Sequence, residues 1–248
     1  MAKNPADGPA RAPRRTSGLS RDLIIRTAIE ILDEGGESAL TIRALTIRLR
    51  TGYGALYHHV SDRNDLLTGA TDAIITGVLS GTAPDADRLG SGTETDTDPR
   101  GTGTAADPRA SLRALALGLF DAVEAHPWVG RELSREPWRP ALLDFYEAIG
   151  RLLDALAVPD EARFDAAGTF MSFVLGAGAQ SAANASHLAT ATTARDTFLA
   201  ATASRWTDLD PAKYPFVRAT VTRLSDHDDR EQFLAGVDII LRGIAAQG

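Results

Sequence analysis

Apolar residues recur every three to four positions along most of this chain, the spacing of helices that bury one face. Ile24, Ala28 and Ile31 form such a stripe, which predicts a first helix from about Ser20, its cap, to Glu34, with Gly35-Gly36 as the stop. Two short helices come next, separated by a tight break. The first, capped by Thr41, turns Ile42, Leu45 and Leu49 inward. The second starts near Gly52 and buries Leu56 and Val60, while Tyr53, Gly54, Ala55, Tyr57, His58 and His59 lie on its other side. Ser61 is then expected to cap a fourth helix, with Asp62 in its first turn, Leu66, Leu67, Ala70 and Ile74 inward, and an end near Leu79.

Between Ser80 and Pro108 the pattern stops. This stretch is Gly, Thr, Asp and Pro with almost no apolar content, so it reads as a flexible insertion. Helical periodicity then resumes over 109–125, 127–134, 138–157, 160–187, 192–206, 212–224 and 229–246. Pro127, Pro137, Pro159 and Pro211 fall between these segments or at their starts, as helix punctuation should. No alternating strand pattern emerges, so the chain is predicted to be all α. It divides into an arm over 1–18, a small domain over 19–65 and a larger helical body over 66–248 that carries the insertion at 80–108.

A length of 248 residues allows one or two domains with a sizeable core. Cysteine is absent, which excludes disulfides and cysteine-bound metal. There is no apolar run long enough to cross a membrane, and the start lacks the apolar stretch of a signal peptide, so the expectation is a cytoplasmic protein without a membrane partner. The net charge of -7 opposes a polyanionic partner if taken whole. Its distribution reverses that for the front end: residues 1–65 hold ten Lys and Arg against eight Asp and Glu. Lys3, Arg11, Arg14, Arg15 and Arg21, opposed by Asp7, make the tip basic. Such an arm either reaches phosphates or the minor groove, or is a solvated tail with no role.

A short helix with small residues near its start and aromatic and imidazole groups along it suits a DNA groove. The chain has no glycine-rich phosphate loop, H-E-x-x-H, G-x-S-x-G or cysteine nucleophile. The acidic pairs Asp228-Asp229 and Asp208/Asp210 read as solvated loop charges. Two other classes are weighed against a DNA-reading regulator. They are an all-α enzyme, which a gel shift on the protein's own upstream DNA separates, and a sequence-independent nucleoid binder, which competition by bulk genomic DNA separates.

The segment from Leu19 to Ile75 resembles the TetR/AcrR family of one-component transcriptional regulators. The resemblance runs through A-I-E-I-L, then G-G-E-S-A-L-T-I-R-A-L, then G-A-L-Y-H-H-V, then D-L-L at the start of the fourth helix. F-L-A-G-V-D-I-I-L-R-G-I near the C-terminus and A-H-P-W-V in the middle are also similar to stretches found in members. The resemblance implies an N-terminal helix-turn-helix domain and a C-terminal helical bundle that binds a ligand and dimerises, in a regulator that is not an enzyme and is most often a repressor. Its partners would be an operator in double-stranded DNA, a small, mostly apolar effector and a second copy of the chain. No cofactor and no metal is implied: in the tetracycline-repressor branch a fourth-helix histidine helps hold a drug–magnesium complex, and Leu79 stands at the matching position.

Carried over by position, the resemblance places Tyr53, Gly54, Ala55, Tyr57, His58 and His59 toward the major groove, and Thr41, Arg43 and Arg63 toward the DNA backbone. Each has a plainer alternative. Tyr57 either bonds a phosphate or packs on the first helix, Arg43 either meets a phosphate or pairs with Glu37 or Asp33, Gly54 either admits the DNA or serves helix packing, and the two histidines either touch DNA or are solvated. Three positions depart from the family: Arg50 stands where a glycine ends the second helix, Thr51 replaces an aliphatic residue, and Thr46 a small apolar one. The turn is expected to be preserved, with Gly52 absorbing part of the change.

A lone helix-turn-helix buries too little surface for specific binding, so a dimer is expected. Its surface is sought on the helices over 160–187 and 229–246, in the stripes Phe164, Ala167, Met171, Val174, Gly178 and Phe233, Val237, Ile240, Ile244; the alternative is that these are monomer core. Gly176 and Gly178, each costing a helix about 1 kcal/mol relative to Ala, point to close helix approach or room for a ligand. Family members hold their effector inside the body. The corresponding residues here are Phe120, His126, Trp128, Trp138, Phe145, Phe170 and Met171, with Gln180 and Asn184 as polar groups; plain core packing is the alternative for each. His126, His187 and His227 are isolated in the sequence and read as surface or packing residues.

Overall fold

A computed structural model describes residues 18–82, 107–135, 139–190, 195–224 and 227–246, with backbone alone for Ser134 and for 185–190. The basic arm and almost all of the insertion lie outside these residues, as do Trp138 and the side chain of His187. The chain order is α1 (Arg21–Ala39), α2 (Ile42–Leu49), α3 (Tyr53–Tyr57), α4 (Arg63–Thr82), α5 (Pro108–Ala125), α6 (Pro127–Arg135), α7 (Pro140–Ala155), α8 (Asp160–Thr190), α9 (Arg195–Thr207), α10 (Pro215–Thr220), a 3₁₀ turn (Val221–Arg223) and α11 (Asp229–Ala245). The fold is all α, and no strand occurs among the described residues.

Local chemistry sets the helix ends. The Ser20 hydroxyl accepts the Leu23 N–H at 3.2 Å and starts α1, as the sequence suggests. Gly36 sits at φ 66°, ψ −170°, a conformation reserved for glycine, so α1 kinks there and adds one further turn to Ala39. The cap of α4 is Asp62, not Ser61. Its carboxylate accepts the Asp65 N–H at 2.8 Å, and Asp65 reaches back to the Ser61 N–H at 2.8 Å. Residue 212 does not begin α10: Pro215 lacks an N–H and bars helical backbone at the residue before it, so the helix starts three residues later.

One apolar core runs from the front domain into the body. Ile24, Ala28 and Ile31 of α1 meet Leu45, Leu56 and Val60, and α4 adds Leu66, Leu67 and Ala70. The fully buried apolar residue further along α4 is Ile75; Ile74 is only half-buried. In the body α8 is central, packed on α5, α6, α7 and α11. Between α4 and α7, the guanidinium of Arg139, 1% exposed, stands 3.5 Å from Asp72. Neither α9 nor α10 buries a residue, and Phe198 and Phe216 on them stay exposed.

Two sequence expectations change here. The α11 stripe Phe233, Val237 and Ile244 is buried in the chain's own core, as are Ala167, Val174 and Gly178 of α8. These side chains are consumed by α8–α11 and α5–α8 packing within one chain. Of the proposed stripes only Phe164 is well exposed, with Met171 and Ile240 half-buried. Close helix approach also involves other glycines. A Cβ on Gly130 would stand 2.8 Å from that of Ala182, bringing α6 against α8, and one on Gly236 would stand 2.3 Å from the Phe173 ring. A Cβ on Gly178 would meet Val123 at an ordinary 3.6 Å, and one on Gly176 would meet nothing within 4 Å among the described residues.

Candidate nucleic-acid interface

The helix-turn-helix is assembled from α2 and α3. The Thr41 hydroxyl accepts the Ala44 N–H at 3.0 Å and caps α2. Arg50 ends it with φ 50°, ψ 46°, the left-handed conformation that a glycine adopts without strain. Gly52, at φ −90°, ψ 159°, takes ordinary extended backbone, so Arg50 alone absorbs the turn. Thr46, buried where a small apolar residue was expected, spends its hydroxyl on the Arg43 carbonyl at 2.8 Å.

Five residues make α3, and Leu56 is its one buried side chain. The helix is shorter than the sequence suggested: His58 is its C-cap and His59 lies beyond it. The Leu56 carbonyl takes the N–H groups of both His59 and Val60, at 2.9 and 3.1 Å, tightening the last turn. The His59 carbonyl meanwhile accepts from Arg21 at 2.8 Å, which draws it out of the helical ladder. Arg21 also grips Asp65 at 2.6 Å and pins the start of α1 to the start of α4. The bond from Arg21 holds the Asp65 carboxyl below its ordinary range, against the opposing effect of burial, with help from the Ser61 N–H. The clamp therefore contributes stability above the ordinary carboxylate range and loses it as pH falls through the lowered value.

The outer surface of this unit carries Tyr53 and Tyr57, 53% and 54% exposed. Gly54 and His58 are exposed too, with Ala55 and His59 half-buried. Among the described residues no other element lies within 4 Å of where a Gly54 Cβ would be, so that glycine serves no close helix packing there. Arg43 is exposed and pairs with neither Glu37 nor Asp33; those carboxylates have other partners. Arg48, a turn later on α2, is bound by Glu34 at 2.5 Å and Glu30 at 3.3 Å. Arg63 is not a free cation: its Nε donates to the Leu40 carbonyl at 3.0 Å and an Nη to the Glu37 carbonyl. Those bonds span 23 and 26 residues of sequence, which no local pattern reveals.

Comparison with known proteins gives this surface its context. Residues 102–247 match the Tetracyclin repressor-like, C-terminal domain family. The transcriptional regulator SCO7222, a TetR from Streptomyces coelicolor, is 39% identical, with 93% of this chain and 99% of that one covered at a TM-score of 0.77. The chain belongs to the TetR family of transcriptional regulators. The class C tetracycline repressor of Escherichia coli is 40% identical over 58 residues, 23% of this chain and 26% of that protein. The transcriptional repressor DrrR1 of Streptomyces coeruleorubidus is 26% identical over 170 residues, 68% of this chain and 55% of that one. Both matches span less than two thirds of the relative's length. ActR of Streptomyces coelicolor, solved with actinorhodin, shares the fold at 22% identity and a TM-score of 0.67, with 93% of this chain and 97% of that one covered.

Within this TetR chain the strained Arg50 has a measurable consequence. Arg50→Gly removes the left-handed penalty and is expected to raise unfolding stability by about 1 kcal/mol. Chemical denaturation of the two proteins side by side checks this, and a loss of stability would mean that the Arg50 side chain makes a compensating contact.

The residues proposed for an effector separate into three places. Phe120, Gln180 and Asn184 line a half-open cavity of about 490 Å³ between α5, α8 and α11. Trp128, Phe145 and Phe170 are buried core, and Met171 is half-buried at its margin. His126 and Trp128 turn to α1, where both bond Asp33, so they are part of a link between domains. The cavity's other aromatic walls, Phe173 and Phe233, escaped the sequence reading because α8 and α11 meet across some sixty residues of chain. Phe233 stacks on Phe120 with ring centroids 4.4 Å apart, and Phe173 lies over Phe233 at 5.6 Å. Gln232 and His227 add polar groups to the rim, the latter bonded to Asp229 at 2.9 Å. Among the described residues no three His, Asp or Glu gather to hold a metal ion, and no helix is long and apolar enough to cross a membrane.

Proposed function

We propose that this TetR chain is a homodimeric, effector-responsive repressor whose α2–α3 surface reads operator DNA. The observation that carries the reading is the exposed set Arg43, Tyr53, Gly54, Tyr57 and His58, gathered on a short helix and the helix before it. Gly54 and Ala55 let the backbone approach bases, where the Ala55 methyl meets a thymine methyl, and the Tyr57 hydroxyl and Arg43 guanidinium contact phosphates. Thr41 adds the capped N-terminus of α2, whose free N–H groups favour a phosphate. Arg63 acts behind this surface by bracing the junction of α1 and α2. His59 lends its carbonyl to Arg21, and its ring is a secondary contact at most.

Two copies meet, in this reading, through the outward faces of α8 and α11, where Ser172 and Gly176 of α8 and Ile239 of α11 are exposed. The open side of the cavity between α5, α8 and α11 lies beside these faces, so a twin would cover it. Stacked phenylalanine walls with amides at the rim suit a flat aromatic effector bearing hydrogen-bonding groups. Effector binding shifts operator occupancy by its differential affinity for the two arrangements of the dimer.

The DNA part of the reading has a quantitative test. Affinity for an operator fragment, obtained by selection from genomic DNA, is measured across a salt series. Arg43→Ala is expected to lower affinity for all sequences alike and to flatten the log–log salt slope by about one per half-site. An unchanged slope would remove Arg43 from the phosphate-contacting set.

A further inference from the structure

We propose that Asp33 and Glu37, two carboxylates one helical turn apart near the end of α1, are positioning residues that fix the angle of the DNA-reading unit on the body by holding both ends of α6. Cations, not anions, are favoured at a helix C-terminus, so these carboxylates stand against the helix dipole. Their partners account for the placement. Asp33 Oδ1 accepts the Trp128 Nε1–H at 2.8 Å and bonds His126 Nδ1 at 2.7 Å, seizing the corner where α5 turns into α6. Glu37 takes the other end. Its carboxylate lies 3.1 Å from Arg135 and 3.7 Å from Arg131, both on α6.

The kink at Gly36 brings Glu37 inward, with its side chain only 15% exposed. The same carboxylate is 3.9 Å from Arg63, the first residue of α4, and Arg63 in turn holds the Glu37 and Leu40 carbonyls. Leu40 immediately precedes Thr41, the cap of α2. An uninterrupted series of charged and hydrogen-bonded groups therefore leads from α6 through Glu37 and Arg63 to the start of the helix-turn-helix. At its other boundary α6 sits on α8 through Gly130. Because α6 is grasped at both ends, a displacement of it tilts α1 and α2 as a unit, whereas a single grip would let them swivel.

The inference uses the proposed function only to say what the tilt is for; its test needs neither operator nor effector. The chain has no cysteine, so cysteines introduced at the exposed Ile47 and Leu143 carry spin labels at those positions alone. Labelled protein is diluted with unlabelled protein, and the distance distribution between the reading unit and the body is recorded by pulsed electron resonance. The wild-type background should give one narrow distribution. Asp33→Ala with Glu37→Gln should widen it about twofold with helical circular dichroism unchanged. His126→Ala and Trp128→Phe combined with Arg131→Gln and Arg135→Gln sever the same links from the body's side and should widen it alike, which covers the case where the first pair fails to fold. Rising salt should widen the wild-type distribution and leave the variants unmoved, a response that apolar packing alone would not give. Equal widths in wild type and in whichever variant folds, at every salt concentration, would overturn the proposal.

Discussion

Leu56→Ala is expected to abolish retention of operator DNA while the helical body stays folded. Five residues are too few to hold a helix by backbone hydrogen bonds, so α3 exists because the surrounding helices accept its one buried side chain. Leu56 is 0% exposed and belongs to the core shared with Ile24, Ala28 and Leu45. Truncating it to alanine removes the transfer free energy of three carbons and leaves a cavity, together about 3 kcal/mol. That loss falls on the element with the least other support, so the reading helix detaches before anything else does. Fluorescence anisotropy with labelled operator reads the loss of binding, and calorimetry reads the body's surviving transition. Binding within a few-fold of wild type would show that α3 is held by something other than this anchor.

Gly130→Val is expected to be the most damaging single change in the body. An added Cβ would stand 2.8 Å from the Ala182 Cβ and 3.5 Å from the Ala179 Cα. Neither atom belongs to a flexible side-chain tip, so α6 must move off α8 and open their packed surface. Overpacking of this kind costs about 3 kcal/mol, and a β-branched residue adds strain in a helix. Gly150→Ala, on α7 and away from the proposed dimer face, is the matched control. Its added methyl meets nothing among the described residues, and alanine favours a helix by about 1 kcal/mol over glycine. Thermal unfolding should separate the two in opposite directions. A wild-type melting profile for Gly130→Val would contradict the close approach of α6 to α8.

The contrast between these glycines shows what a sequence can and cannot convey. A glycine in a helix signals a close approach only when a neighbour sits opposite it, and the neighbour of Gly130 is some fifty residues further on. Gly150 and Gly176, in equally helical stretches, have no such neighbour among the described residues. Periodicity did reveal α1 to α4 and the inward residues Ile24, Ala28, Leu45, Leu56 and Leu66, because each depends on contacts made by residues three and four apart. It could not distinguish the proposed dimer face of α11 from its core face, since Phe233, Val237 and Ile244 are equally apolar on either assignment. Surface positions such as Tyr53 and Tyr57 were legible because an exposed aromatic pair on a short helix has no use in a core. The bonds of Arg63 and His126 were not legible for one shared reason: their partners, Leu40 and Glu37 for the one and Asp33 for the other, come together only through tertiary packing.

The claim on which the account rests is that the α2–α3 surface touches duplex DNA. It is met most directly by footprinting genomic fragments that the purified protein selects, with wild type and with an Arg43→Ala, Tyr57→Ala double variant of unchanged melting temperature. Wild type should protect two half-sites about 34 Å apart between centres, successive major grooves on one side of the duplex, and the double variant should protect neither. Protection of the same bases by the folded double variant would contradict the account.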